Sequence, residues 1–240
     1  MTTTLITIPF SHYCEKARWA LDACGVDYVE DGHLPIFVYR AVWRAGGKRT
    51  VPVLVDGDTK LFDSTDIVAW ADTRKPGTLL GPASALELED EFDKQLGPAA
   101  RRWAYFQLLP RRDIDQLITA GVPAWEAKAL RFVRPLALAM IRRGLKVTPE
   151  GKAKSEAKLD GLFAKIDALM ADGRKFLAGD RFSVADLTWA SLAAPVIRPV
   201  GHPSKYEQMK GFAPEAQAKM DEWTATRGGQ HVLAMYRDHR

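Results

Sequence analysis

The sequence predicts an α/β domain followed by an all-helical domain, and two observations carry that reading. Over about the first 80 residues, short apolar runs suited to strands alternate with segments of helical period. After a stretch rich in Pro and Gly (74–85), Ala, Leu, Lys and Arg dominate and no convincing strand remains. The expected divisions are an α/β domain over 1–76, a linker over 77–85 and a helical domain over 86–240.

Within the first domain, Thr4–Ile8 reads as a buried strand. His12–Cys24 reads as a helix, with Tyr13, Ala17, Ala20, Leu21 and Cys24 on one face and Gly25 as its stop. Asp27–Glu30 is a short second strand, and Ile36–Ala45 a helix closed by Gly46-Gly47. Val51–Val55 and Lys60–Phe62 form a hairpin around Asp56-Gly57-Asp58. Ser64–Thr73 is a helix whose apolar positions are Ile67, Val68, Trp70 and Ala71. In the second domain, helices are expected over Leu86–Leu109, Asp113–Thr119, Trp125–Arg143, Lys152–Ala171, Val184–Val196 and Pro214–Thr226.

The bulk properties are those of a soluble globular protein: 240 residues, 47% apolar and 27% charged. No apolar run approaches the ~18 residues of a membrane span. The first residues pattern as a strand and carry no basic n-region, so a signal peptide is not expected. Two cysteines make no disulfide framework, and a cytoplasmic protein with free thiols fits best. The net charge of +4 is uneven. Residues 1–80 hold 9 Lys+Arg against 10 Asp+Glu, whereas 81–240 hold 25 against 20. That excess could favour anionic ligands or only aid solubility, and no nucleic-acid-binding module accompanies it.

The most informative segment is Ile8-Pro-Phe-Ser-His-Tyr-Cys14, where a strand runs through a turn into a helix beginning at Ser11 or His12. One hydroxyl therefore sits at a helix N-terminus and one thiol, Cys14, lies a turn further on. Unpaired N–H groups and a partial positive charge at that end stabilise an anion, and a thiolate is an anion. The segment points to sulfur chemistry, on the protein's own thiol or on that of a bound molecule.

Three further features sit in the same domain. Pro52 opens the third strand, where it cannot donate to the ladder. A cis Val51–Pro52 bond would explain it and leave the Val51 N–H and C=O free for a peptide-like ligand; the alternative is a proline at the start of an edge strand. Asp63-Ser64 opens a helix and could take a carboxylate and a neighbouring ammonium, or serve simply as a cap. Lys48 and Arg49, in a basic loop, could reach a second carboxylate or merely be solvated.

Together these features resemble the glutathione transferase family over nearly the whole chain. Ser11-His12-Tyr13-Cys14 stands where glutaredoxin-like relatives carry Cys-Pro-Tyr-Cys, Val51-Pro52 looks like the family's cis-proline site, and Asp63-Ser64 resembles its γ-glutamyl site. Phe182-Ser-Val-Ala-Asp186 resembles the family's buried capping box, a folding feature. Two departures stand out: the first strand has no tyrosine, and a serine at position 11 excludes a dithiol cycle with Cys14.

The resemblance implies a thioredoxin-like N-terminal domain and an all-helical C-terminal domain. It also implies glutathione as co-substrate, no metal, and a homodimer. Asp63 would take the ammonium of glutathione, Ser64 its γ-glutamyl carboxylate, the Val51 backbone its cysteinyl unit, and Lys48 or Arg49 its glycyl carboxylate. Ser11 would donate to the sulfur and favour the thiolate, which attacks a small electrophile and takes over its alkyl or aryl group. The electrophile site would lie between the domains near Phe10, Trp103, Tyr105 or Phe106, although core packing also accounts for those aromatics. Two rival readings stay open: a thiol transferase based on Cys14, and a non-catalytic glutathione- or ligand-binding module on the same fold.

Overall fold

The computed structural model describes residues 2–240, the side chains of residues 116 and 117 excepted. Four strands, β1 (Thr4–Thr7), β2 (Val29–Gly32), β3 (Val53–Asp56) and β4 (Thr59–Leu61), form one sheet in the order β2-β1-β3-β4. β1 and β2 are parallel, while β3 runs antiparallel to both β1 and β4. Alternation along the strands sorts the side chains. Leu5 and Leu54 face α1 (His12–Ala23) and α3 (Ser64–Arg74), whereas Ile6 and Val53 face α2 (Val38–Arg44). The N-terminal half is thus a thioredoxin-like layer of sheet between helices.

The helical half begins with α4 (Ala83–Glu91), which runs through a π-helical segment (Phe92–Leu96) into α5 (Gly97–Leu108). The expected single helix over 86–109 is therefore interrupted by a wide turn. There follow α6 (Asp115–Ile118), α7 (Ala124–Gly144), α8 (Pro149–Leu169), α9 (Val184–Ile197), α10 (Pro214–Ala225) and α11 (Arg227–His239). α9 lies at the centre, buried along nearly its whole length, and packs against α1, α4, α5, α10 and α11.

No helix is expected beyond Thr226, so α11 is an addition, and its Gly228-Gly229 pair permits close approach. A Cβ on Gly228 would lie 3.1 Å from the Trp189 ring, and one on Gly229 only 2.1 Å from the Trp223 carbonyl oxygen. The other deviation is β2, which lies two residues beyond its expected place. It pairs with β1 from Thr4↔Val29 to Thr7↔Gly32.

Asp186 ties the helical domain together. Its Oδ2 accepts from the Ser183 backbone N–H and hydroxyl, both at 2.9 Å. Its Oδ1 accepts from Leu177 N at 2.8 Å and from His231 Nε2 at 3.0 Å. All of this is buried, so removing the carboxylate strands several donors without water. Asp186→Ala is expected to cost about 3 kcal/mol or more in urea unfolding, whereas a loss below about 1 kcal/mol would mean that the contacts do not hold the domain.

A second clasp joins the two halves. His33 Nδ1 meets Glu126 Oε1 at 2.5 Å, His33 Nε2 lies 3.1 Å from Asp31 Oδ1, and Leu34 N donates to Glu126 Oε2 at 2.8 Å. Burial alone would lower the His33 pKa. The Glu126 hydrogen bond and the charges of Asp31 and Glu126 outweigh it, so the pKa rises above 6.5. A raised folded-state pKa gives stability that is complete below 6.5 and lost as pH rises through the folded value. Melting temperatures of wild type and Glu126→Gln should therefore differ more at pH 6 than at pH 9, and a gap constant across that range would disprove a charged clasp.

Candidate functional site

Ser11 is the N-cap of α1, in extended conformation, and is half-buried. Its N–H donates to Ile8 O at 2.9 Å and its carbonyl accepts from Glu15 N at 2.9 Å. Its hydroxyl makes no capping bond to the helix it opens, and its side-chain neighbour there is the Cys14 thiol. The preceding turn is held from both sides. Pro9 O accepts from Arg18 Nη2 at 2.8 Å and from Ser204 Oγ at 2.9 Å, and Phe10 O accepts from the Tyr206 hydroxyl. Ser204 and Tyr206 belong to the helical half, so both halves of the chain fix where Ser11 stands.

Beneath Ser11 lies a buried ion cluster. Arg18 donates through Nε and Nη2 to Glu30 at 2.8–3.1 Å and through Nη1 to Glu15 at 3.2 Å. The far oxygen of Glu15 accepts from Arg240 Nε at 2.6 Å, and Arg240 Nη1 reaches Asp22 at 2.6 Å. Burial raises the Glu15 carboxyl above its ordinary range, with Arg240 and Arg18 opposing. Arg18 is itself buried, and its partners, Glu30 foremost, hold its pKa well above the ordinary value.

Cys14 points into this packed region and is fully buried. Burial pushes its thiol up to about 11, and Arg18, the Ile8 backbone and Ser11 only partly counter that. Cys24 is also buried, as expected of a small apolar residue. Tyr13 packs and donates its hydroxyl to Asp93 O at 2.8 Å. His12 is buried and donates from Nε2 to Gly97 O at 3.1 Å. Burial, then Arg101, lowers its pKa to about 3, so it stands neutral across the physiological range.

The other expected site residues belong to the loop before β3 and to the start of α3. The Val51–Pro52 bond is cis, and neither the N–H nor the C=O of Val51 is hydrogen-bonded among the described residues. Asp63 is the N-cap of α3 and exposed; its Oδ1 accepts from Thr65 N at 2.8 Å, so the capping alternative is realised through one oxygen. Ser64 is 3% exposed, and its hydroxyl has no partner among the described residues. Lys48 and Arg49 are exposed and unpaired among the described residues.

The start of α3 is pinned from below by Lys16. Its buried ammonium donates to Glu89, to Asp93 Oδ1 at 2.8 Å and to Thr65 Oγ1 at 3.1 Å, which accounts for its three protons. The π-helical segment places Asp93 there, and immediately after it Gly97 admits the Tyr13 hydroxyl, which a Cβ would meet at 2.2 Å.

A cavity of about 80 Å³ opens beside Phe10 and His12, between the halves of the chain. Its walls come from α5, α6, α7 and the Tyr206–Met209 segment, and are largely apolar. Of the four aromatics expected there, Phe10 and Tyr105 line it, and Phe106 does not. Trp103 belongs to the core, where its Nε1 donates to Glu156 at 2.8 Å. Arg101 also lines the cavity, and so do Leu130, Arg134, Ala137 and Ile141 of α7. Nothing in the sequence marked Arg101, which differs from its neighbours only in the wall it faces.

The family model described as Glutathione S-transferase, N-terminal domain, matches residues 5–79, and that described as Glutathione S-transferase, C-terminal domain, matches residues 130–215. No curated protein matches the chain by sequence. Among solved structures, similar ones include glutathione transferase GSTFuA3 from Phanerochaete chrysosporium. It is 17% identical, with 100% of this chain and 98% of that chain covered and a TM-score of 0.63. The β-etherase LigF from Sphingobium sp. strain SYK-6 is 18% identical over 98% and 99%, with a TM-score of 0.60. A glutathione S-transferase from Methylobacterium radiotolerans, in complex with glutathione sulfonate, is 19% identical over 97% and 95%, with a TM-score of 0.55. At these identities the structural likeness shows the fold; the two family models, which together span more than half of the sequence, show that the chain belongs to the glutathione S-transferase family.

Proposed function

We propose that the protein is a glutathione transferase in which Ser11 activates the glutathione thiol. The observation that carries this reading is the Ser11 hydroxyl, which makes no capping bond at the N-terminus of α1 and sits between Phe10 and His12 of the cavity wall. Glutathione lies along the free Val51 backbone. Asp63 takes the ammonium on its unused oxygen, Ser64 takes the γ-glutamyl carboxylate, and Lys48 reaches the glycyl carboxylate. The glutathione-derived ligand in the Methylobacterium radiotolerans structure supports a glutathione site on this fold.

The hydroxyl and the helix N-terminus both favour the charged form of the sulfur, lowering a thiol pKa from about 8.5 toward neutrality. The thiol proton goes to solvent. The thiolate lone pair forms the new sulfur–carbon bond while the electrophile's leaving group departs with its bonding pair. Chemistry of this kind is mostly proximity and thiolate activation. The burial of Cys14 and its raised pKa favour Ser11 over Cys14 as the group at the sulfur.

Calorimetric titration with glutathione, followed in parallel by thiolate ultraviolet absorbance, tests this. Wild type is expected to bind and to show thiolate near neutral pH. Ser11→Ala should bind within a few-fold but lose the thiolate signal and about 10- to 100-fold in kcat/KM, the worth of a hydrogen bond to a charged group. Absence of glutathione binding to wild type would leave the binding-module reading in its place. Cys14, in turn, should react with iodoacetamide more slowly at pH 7.5 than free glutathione does; rapid labelling of Cys14 would revive the thiol-transferase reading.

A further inference from the structure

The cavity beside Ser11 carries a charge that nothing in the protein answers. Arg101 and Tyr105 stand one helical turn apart on α5, and both line it. Neither makes a hydrogen bond or an ion pair among the described residues; the closest partner of the Arg101 guanidinium is the Tyr13 ring, 5.8 Å from its centroid. The other cation of the wall, Arg134, is engaged by the Arg111 carbonyl and by Asp115 at 3.3 Å. His12 is neutral. No aspartate or glutamate lines the cavity among the described residues. Burial raises the Tyr105 pKa, which keeps its hydroxyl protonated and able to donate.

A half-buried guanidinium beside apolar walls, with no carboxylate partner among the described residues, favours an anionic ligand. We propose that Arg101, with the Tyr105 hydroxyl, binds the anionic group of the second substrate, so that the electrophile is a carboxylate-bearing molecule with an apolar body. The body would lie against Phe10 and the α7 residues Leu130, Ala137 and Ile141. The planar fork of the arginine suits a carboxylate, and the Tyr105 hydroxyl supplies a further donor. This assignment of substrate class rests on the glutathione transferase reading, but the cavity's preference for an anion can be measured without glutathione.

The probes are 2-naphthoate and 2-naphthamide, an unreactive pair differing mainly in charge, titrated calorimetrically into the full-length protein. Wild type should bind the carboxylate about tenfold or more tightly than the amide, as a hydrogen-bonded charge pair implies. Arg101→Gln should bring that ratio close to one, while Arg101→Lys, which keeps the charge, retains part of it. Equal affinity of wild type for the two probes, binding of neither, or an undiminished preference in Arg101→Gln overturns the proposal. So does loss of the preference under saturating S-methylglutathione, which would put Arg101 in the glutathione site. If S-methylglutathione does not bind while the naphthoate preference holds, the catalytic reading falls and the anion site stands.

Discussion

The geometry at Ser11 depends on one buried guanidinium. Arg18 reaches the carbonyl of Pro9 on one side and the carboxylates of Glu15 and Glu30 on the other. A charge taken out of water is tolerable only when it is paired and its hydrogen bonds are filled, and Arg18 meets both conditions. The cluster closes only when Arg240 at the chain's end supplies the second partner of Glu15. A turn near residue 10 therefore takes its shape from residue 240. The geometry around Ser11 is a property of the finished tertiary structure, since the strand–turn–helix segment alone would leave Arg18 and Glu15 free to solvate.

Lys16 plays the corresponding part on the other side of α1. It gathers Glu89 and Asp93 of the helical half and Thr65 of α3 around one ammonium. The π-helical turn is what makes this arrangement fit. An uninterrupted α-helix through residues 92–96 would carry Asp93 and Gly97 to different azimuths, and both are in use: Asp93 binds Lys16, and Gly97 leaves room for Tyr13. The N-terminus of α3, with Asp63 and Ser64, and the N-terminus of α1, with Ser11, are in this way held against a common support.

What could be read from the sequence was what local periodicity encodes. Short apolar runs gave the strands, helical spacing gave the amphipathic helices, and Pro52 and Gly25 punctuated them. Ser11, Val51 and Asp63-Ser64 were visible because they sit at the ends of those elements, where special backbone positions leave a mark. The ion clusters left none. Glu126 lies 93 residues from His33, and the apolar pattern of α1 gives no sign that Glu15, Lys16 and Arg18 are buried. Trp103 and Tyr105, two residues apart on α5, could not be told apart in sequence, yet one is core and the other cavity wall.

The two halves divide the chemistry unevenly, and the clasps between them matter for that reason. In the proposed reaction the N-terminal half sets the state of a sulfur atom through a hydroxyl and a helix end. The helical half would set what that sulfur can meet, through the largely apolar cavity that Arg101 lines. Neither choice has effect unless the sulfur and the cavity are in register, and proximity is the larger part of a reaction of this type. Ser204 and Tyr206 grip the Pro9-Phe10 turn, and Glu126 grips His33 and Leu34 at the opposite rim. Glu126 lies near the start of α7, the helix that also supplies Leu130 and Ile141 to the cavity wall. The clasp that joins the domains is thus continuous, through α7, with a wall of the cavity. Substitution in α7 can change the cavity without disturbing Ser11, whereas loss of the Arg18 cluster would disturb both.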